Sequence, residues 1–404
     1  MSNRKLALVL VALTALIASG CVASPGGDAG GATPSTPNTS DELIIGIATA
    51  RSGWMAAYDV PAEQAARLAA DHINANGGVN GRQIKVIFAD TQTDQQTAAT
   101  AAQELLAEGA EVILASSDFD YGSPSALAAQ SEGRVAISIG AASPLFGLHG
   151  IGELAFTVGT PTPTVAAAGA EWAYGEGWKT AIALCDVSIE YSTSLCDSFQ
   201  ESFAAAGGEV VLVENFQQED TSIAQQLNRI KGTDADFIYL GSYLPGGASA
   251  VRQIRSAGIE TPIVSGAAME GTEWLASVPG LSDFYFTSVR FIHGPGESDE
   301  VAGFLEDYAA EFGAIPEHSD AVVGYLALEL IAAALEANGG DTSGAALAAA
   351  LNALDAQPTL IGPVSFTDDL GYSLEREMAV VAVDGGEMKF VAHVTPKHVP
   401  VPAQ

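Results

Sequence analysis

Between residues 43 and 264 the chain alternates short apolar runs with longer amphipathic stretches, an order that leaves few architectures open. Residues 43–48, 84–89, 111–115 and 135–139 read as buried strands, with helices expected between them at 94–107 and 123–131. In the first unit Pro61 suits the opening turn of a helix. An apolar face follows at Ala65, Leu68, Ala69 and Ile73, and Gly77 and Gly78 stop it. A second series follows: helix 162–175, strand 180–185, helix 192–206, strand 209–213, helix 222–230, strand 237–240, helix 247–257 and strand 261–264. Two successive series of this kind predict an α/β protein with two doubly wound parallel sheets, each flanked by helices. Three consecutive helices are then expected at 298–312, 319–337 and 342–351, with a terminal hairpin over 378–392 turned at Gly385 and Gly386.

The N-terminus implies a compartment. Arg4 and Lys5 precede an uninterrupted apolar run at 6–18, which ends in Ser19, Gly20 and Cys21. That is the layout of a secretory leader rather than a spanning helix. It resembles a bacterial lipoprotein signal over residues 1–21, with Cys21 as the lipidated residue and Ala18 where such signals usually carry Leu; an ordinary secretory leader with an incidental Cys21 is the alternative. Residues 22–40 are rich in Gly, Ser, Thr and Pro and are expected to be a disordered tether. With Cys21 taken by lipid, Cys185 and Cys196 are left as a disulfide pair in an oxidising compartment.

Charge excludes one class of partner. The chain carries 49 acidic against 16 basic residues, a net −33, with no basic stripe to meet a nucleic acid. Enzyme signatures are equally poor. The sequence lacks G-x-x-x-x-G-K, H-E-x-x-H and G-x-S-x-G, and its six histidines are scattered, so neither a cofactor nor a metal is expected. Gly150-Ile151-Gly152-Glu153-Leu154-Ala155 has the shape of a dinucleotide loop, but no strand precedes it.

The segment 53–81 resembles the leucine/isoleucine/valine-binding type of solute-binding protein that serves ABC importers. That family opens with a G-P-x-A-x-Y-G loop and a helix ending in I-N-A-x-G-G-x-x-G. Here these read Gly53-Trp54-Met55-Ala56-Ala57-Tyr58-Asp59 and Ile73-Asn74-Ala75-Asn76-Gly77-Gly78-Val79-Asn80-Gly81, with departures at Trp54 and Asp59. Gly362-Pro363-Val364-Ser365-Phe366 matches a further family segment. The resemblance implies the type I periplasmic-binding-protein fold, two lobes joined by three crossover strands near 156–160, 287–291 and 361–366. The N-terminal lobe would comprise 41–158 and 290–361, and the C-terminal lobe 159–289 and 362–404.

It also implies a cleft built from the loops after the strands. The ligand carboxylate would meet one of Ser116, Ser117 and Asp118, together with the segment Ala141, Ala142 and Ser143. Tyr243 would help to hold an ammonium group, and Tyr58 and Tyr191 fall on aromatic wall positions. Trp54 either faces the ligand or packs beneath the loop. The family's ammonium-binding carboxylate falls at Ala267 by direct count, so Glu270 could serve only if the loop bulges. Asp320 lies at a usually apolar position, where it either caps a helix or itself binds a polar or cationic group. The implied function is capture of a small polar solute, a branched-chain or related amino acid first, by a monomer that delivers it to membrane permease subunits. Amides or urea as ligands, or a sensing receptor of the same fold, are the alternatives.

Overall fold

The computed structural model describes residues 42–367, 370–374 and 376–401. The leader, the tether and Cys21 lie outside the described residues. The first sheet contains β1 (Glu42–Thr49), β2 (Gln83–Asp90), β3 (Val112–Ala115), β4 (Val135–Ser138) and β5 (Ala155–Thr157), all parallel and in the order β2-β1-β3-β4-β5. Helices α1 (Ala56–Ala75), α2 (Gln95–Ala107) and α3 (Phe119–Ser131) connect its strands. The second sheet contains β6 (Thr180–Asp186), β7 (Glu209–Phe216), β8 (Phe237–Gly241), β9 (Ile263–Ser265) and β10 (Phe284–Ser288). Helices α4 (Thr162–Gly175), α5 (Glu190–Ala205), α6 (Ala224–Lys231) and α7 (Gly246–Ser256) belong to this second series.

The chain then returns. Helices α8 (Asp299–Phe312), α9 (Asp320–Ala337) and α10 (Gly344–Asn352) follow, and their apolar residues join the core of the first sheet. Finally β11 (Met378–Asp384) and β12 (Glu387–Val394) add an antiparallel hairpin to the second sheet, whose order is β12-β11-β10-β9-β8-β6-β7. Two parallel-sheet α/β lobes result, as the alternation of elements predicted.

Local chemistry explains most boundaries. Asp94 caps α2 by accepting from the Thr97 N–H, and Ser298 caps α8 by accepting from Val301. Helix α9 is apolar around most of its circumference because α1 covers one side and the sheet core the other. Gly324 permits this contact, since a Cβ there would lie 2.0 Å from the Ala62 carbonyl oxygen. Cys185 and Cys196 form a disulfide with their Cα atoms 5.9 Å apart, tying the end of β6 to α5. Among the described residues no helix is long and apolar enough to cross a membrane.

Three local expectations are corrected. Helix α1 begins at Ala56, so Pro61 lies inside it rather than in its first turn. Helix α3 begins at Phe119 rather than 123, because the Asp118 side chain accepts from the N–H groups of Asp120 and Tyr121. Residues 155–157 and 284–288 are strands of the two sheets, not only parts of crossovers, and both are too short and buried to show alternation.

Candidate functional site

The carboxyl ends of the parallel strands from both sheets meet around one small cavity, the usual place for a ligand in open α/β folds. Its volume is about 60 Å3, several times the ~10–15 Å3 needed for one water. From the first lobe come Trp54 and Met55 in the loop after β1, Tyr58 in α1, Ser117 and Asp118 after β3, and Gly140 and Ala142 after β4. His318 and Asp320, at the start of α9, complete that side. Facing them are Ile189 and Tyr191 at the start of α5, Tyr243 after β8, and Ala267 and Ala268 after β9. Thr160, Val165 and Val289 close the cavity where the chain crosses between the lobes.

Hydrogen bonds hold the first-lobe loops in place. Asp59 accepts from the Ala50 N–H at 2.7 Å and from the Ser117 N–H at 2.8 Å, so one carboxylate joins the loops after β1 and β3. Burial pushes the Asp59 carboxyl up to about 6 against those two bonds. Gly140 allows the next loop to lie close, since a Cβ there would be 2.8 Å from the Ser117 Cβ. The Ser117 Oγ is buried and makes no close hydrogen bond among the described residues, though it lies near enough to the Asp59 carboxylate to favour its charge. Asp118 is only 5 % exposed, and its Oδ1 takes both cap bonds of α3. Burial, then the charge of Asp120, pushes its carboxyl up to about 7.

The start of α9 brings one basic group to the first-lobe side of the cavity. His318 Nε2 donates to the Ala267 carbonyl at 3.2 Å, and its Nδ1 lies 3.4 Å from an Asp320 oxygen. Burial lowers its affinity for a proton, but the charge and hydrogen bond of Asp320, the charge of Glu270 and the Ala267 carbonyl outweigh it. The imidazole is pushed up to about 9 and is cationic at neutral pH.

Aromatic rings form the walls. Trp54 leans on Tyr243 across the lobes with ring centres 4.8 Å apart, and it meets Tyr121 edge-on at 5.3 Å. Tyr58 spans the cleft: its hydroxyl donates to the Ala268 carbonyl at 2.9 Å and accepts from the Leu244 N–H at 3.0 Å. Tyr191 Oη accepts from the Ala268 N–H at 3.2 Å. Burial raises both phenols well above their ordinary range, so both stay neutral donors.

Eight of the residues singled out from sequence come together at the cavity wall: Trp54, Tyr58, Ser117, Asp118, Ala142, Tyr191, Tyr243 and Asp320. Four stand behind it. The Ser116 carbonyl accepts from Ser138 Oγ within the core, and Ala141 is fully buried. Ser143 Oγ donates across the lobes to Glu190 at 3.4 Å.

Glu270 is withdrawn furthest. Its Oε2 accepts from the Ser319 N–H at 2.9 Å and the Ser319 hydroxyl at 2.6 Å, while His293 Nε2 donates to Oε1 at 3.1 Å. Burial acts to raise this carboxyl, but the His293 bond, the charges of His318 and His293 and the Ser319 bond together hold it below its ordinary range. Glu270 of the second lobe thus binds the first turn of α9 in the first lobe. Asp320 does not cap α9, since Ser319 occupies the cap position. His318 escaped the sequence reading, because nothing local links it to the other loops.

A two-lobed α/β chain with crossovers and a cavity at the seam has clear relatives. The model of the periplasmic binding protein family matches residues 42–387. The chain belongs to this family. A Leu/Ile/Val-binding protein of Rhizobium johnstonii is 24 % identical over 83 % of this chain and 90 % of its own length. The branched-chain amino acid transporter substrate-binding protein LivJ of Streptococcus pneumoniae, solved with isoleucine, is 26 % identical with a TM-score of 0.77, covering 88 % of this chain and all of its own. A solute-binding protein of an ABC transporter from R. palustris, solved with benzoate, shares the fold at 20 % identity and a TM-score of 0.73, covering 88 % of this chain and 97 % of its own. Family membership makes the chain a binding protein of the type I periplasmic fold, not an enzyme.

Proposed function

We propose that this protein is the extracytoplasmic solute-binding component of an ABC importer, and that it captures a small amino acid in the cavity between its lobes. The observation that carries this reading is the charge of the cavity wall. Two carboxyl groups and one imidazole line it, with a serine hydroxyl that makes no close hydrogen bond and four large aromatic rings. Among the described residues His318 is the one basic side chain in the wall, and it is already matched to Asp320 and Glu270. A lone carboxylate such as benzoate would find no free cation there, whereas a zwitterion finds acceptors for its ammonium and hydroxyl donors for its carboxylate. The relatives that bind leucine, isoleucine or valine support the same class of solute.

Delivery follows from closure. Tyr58, Glu270 and Glu190 each join one lobe to the other, so a solute that bridges the cavity adds contacts that exist only when the lobes meet. The closed form is what a membrane permease would recognise. Anchoring through Cys21 and action as a monomer belong to the same proposal; a shift in mass on labelling with radioactive or alkyne fatty acid, lost in Cys21→Ser, tests the first. The binding function is tested by thermal shifts of the purified protein against amino acids, amides, urea and organic acids. A saturable rise with an amino acid is expected. A rise with organic acids alone would overturn the reading.

A further inference from the structure

We propose that Asp118, on the first lobe, is the anionic anchor for the ligand's cationic group, boxed by Trp54, Tyr191 and Tyr243. The inference rests on the solute-binding reading above and assigns the charge that selects the solute. Among the acids of the cavity wall, Asp320 is neutralised by His318 and Glu270 has left the wall for the start of α9. Among the described residues Asp118 has no ion-pair partner, since the one basic group of the wall, His318, is held by Asp320. The Asp118 Oδ1 is used by the cap of α3, which leaves Oδ2 to the cavity. A carboxylate 5 % exposed and without a counter-ion is unfavourable until a cation arrives.

The neighbours fit that role. The field of Asp118 reaches both Tyr191 and Tyr243, which places the carboxylate beside the aromatic walls. Trp54 tilts against Tyr243, so an ammonium at Asp118 would meet ring faces as well as a carboxylate. The Ser117 hydroxyl stands one residue away and makes no close hydrogen bond, so it can turn from the Asp59 side to a carboxylate on the same ligand. Both charged ends of an amino acid would then be read by the first lobe, and the second lobe would supply closure. Glu270 contributes to that closure through Ser319, not through the ligand.

A titration follows from the same geometry. The groups facing Asp118 are Asp120 and Asp59 from its own lobe, Tyr121, Tyr191 and Tyr243 around the rings, and the His318–Asp320 pair opposite. In the empty cavity the Asp118 carboxyl titrates at about 7. A bound cation favours its ionised form, so binding releases about half a proton per ligand at pH 7, and affinity climbs with pH towards about 7 and levels off above it.

The test is calorimetry on the wild type and Asp118→Asn with three probes of one shape: leucine, 3-methylbutylamine and 4-methylpentanoate. Asparagine keeps the helix cap, and a cooperative melting transition of the empty variant, no lower than that of the wild type at pH 7, checks its fold. Leucine is expected to bind best, the amine measurably and the acid least, with Kd for leucine rising about 30- to 300-fold in the variant. Proton release, measured in two buffers of different ionisation enthalpy, should vanish with the carboxylate. Unchanged leucine affinity in Asp118→Asn, or tight binding of 4-methylpentanoate, would overturn the inference while leaving a solute-binding protein. Silence with all three probes would overturn the amino-acid reading and the inference together.

Discussion

Replacing Tyr58 with Phe removes one oxygen atom and leaves the ring that lines the cavity. That oxygen donates to the Ala268 carbonyl and accepts from the Leu244 N–H, both on the opposite lobe. In an open form these two backbone groups turn to water, so their loss is not felt there. In the closed form they are buried beside a fully buried ring and have no other partner. A lost pair of hydrogen bonds plus stranded backbone groups costs about 2–4 kcal/mol, charged to closure alone. Because ligand affinity includes the free energy of closure, Kd should rise about 30- to 800-fold. Calorimetry with the solute chosen by the thermal-shift panel measures this, and the melting temperature of the empty variant should barely move. A Kd within twofold of wild type would refute the reasoning. So would an equal loss of stability with and without ligand, which would make Tyr58 a prop of the fold and not of closure.

Other outcomes follow from the same contacts. Glu270→Gln keeps the size of the side chain but weakens its bonds to Ser319 and His293, so it should lower affinity for every ligand by a similar factor without changing their order, as competition titrations would show. Ser117→Ala should cost about tenfold in affinity and less in stability, since that hydroxyl makes no close hydrogen bond and only helps to ionise Asp59. Removing both Cys185 and Cys196 should lower unfolding free energy by about 3 kcal/mol in denaturant titrations, from the loop their bond closes. The carboxyls of Asp59 and Asp118, pushed up to about 6 and 7, hold protons more tightly folded than unfolded. Their contribution to the stability of the empty protein therefore falls as pH rises from about 4 to 7, and His318, pushed up to about 9, extends the fall to that pH. Melting temperatures across pH 5–9 should decline, and Asp118→Asn should flatten the lower half of that decline.

Legibility in the sequence followed the range of the interactions. Strands such as β1 and β3 are continuous apolar runs because both faces of a parallel sheet are covered, so they stand out without knowledge of their partners. The helix ends at Asp94 and at Gly77 and Gly78 are equally local. Loops after strands could be nominated as a group, but which member of each faces inward depends on packing. Ser116 and Ser117 are chemically alike, yet only the second turns to the cavity, because Asp59 fixes its N–H and Gly140 lets it lie close. Glu270 looked like a substitute ligand because its distance from Ser319 is invisible along a chain that separates them by 49 residues. His318 matters through Asp320, two residues on, and through Ala267, in the other lobe, and only the second of those contacts makes it part of a site.

The most direct measurement is a crystal structure of the protein with the solute selected by the thermal-shift panel. The expected result is that solute enclosed between the lobes, with its cationic group at Asp118, an anionic end at Ser117 and the rings of Trp54, Tyr191 and Tyr243 against it. A solute bound elsewhere, or seated in the cavity with its charges turned away from Asp118 and Ser117, would contradict it.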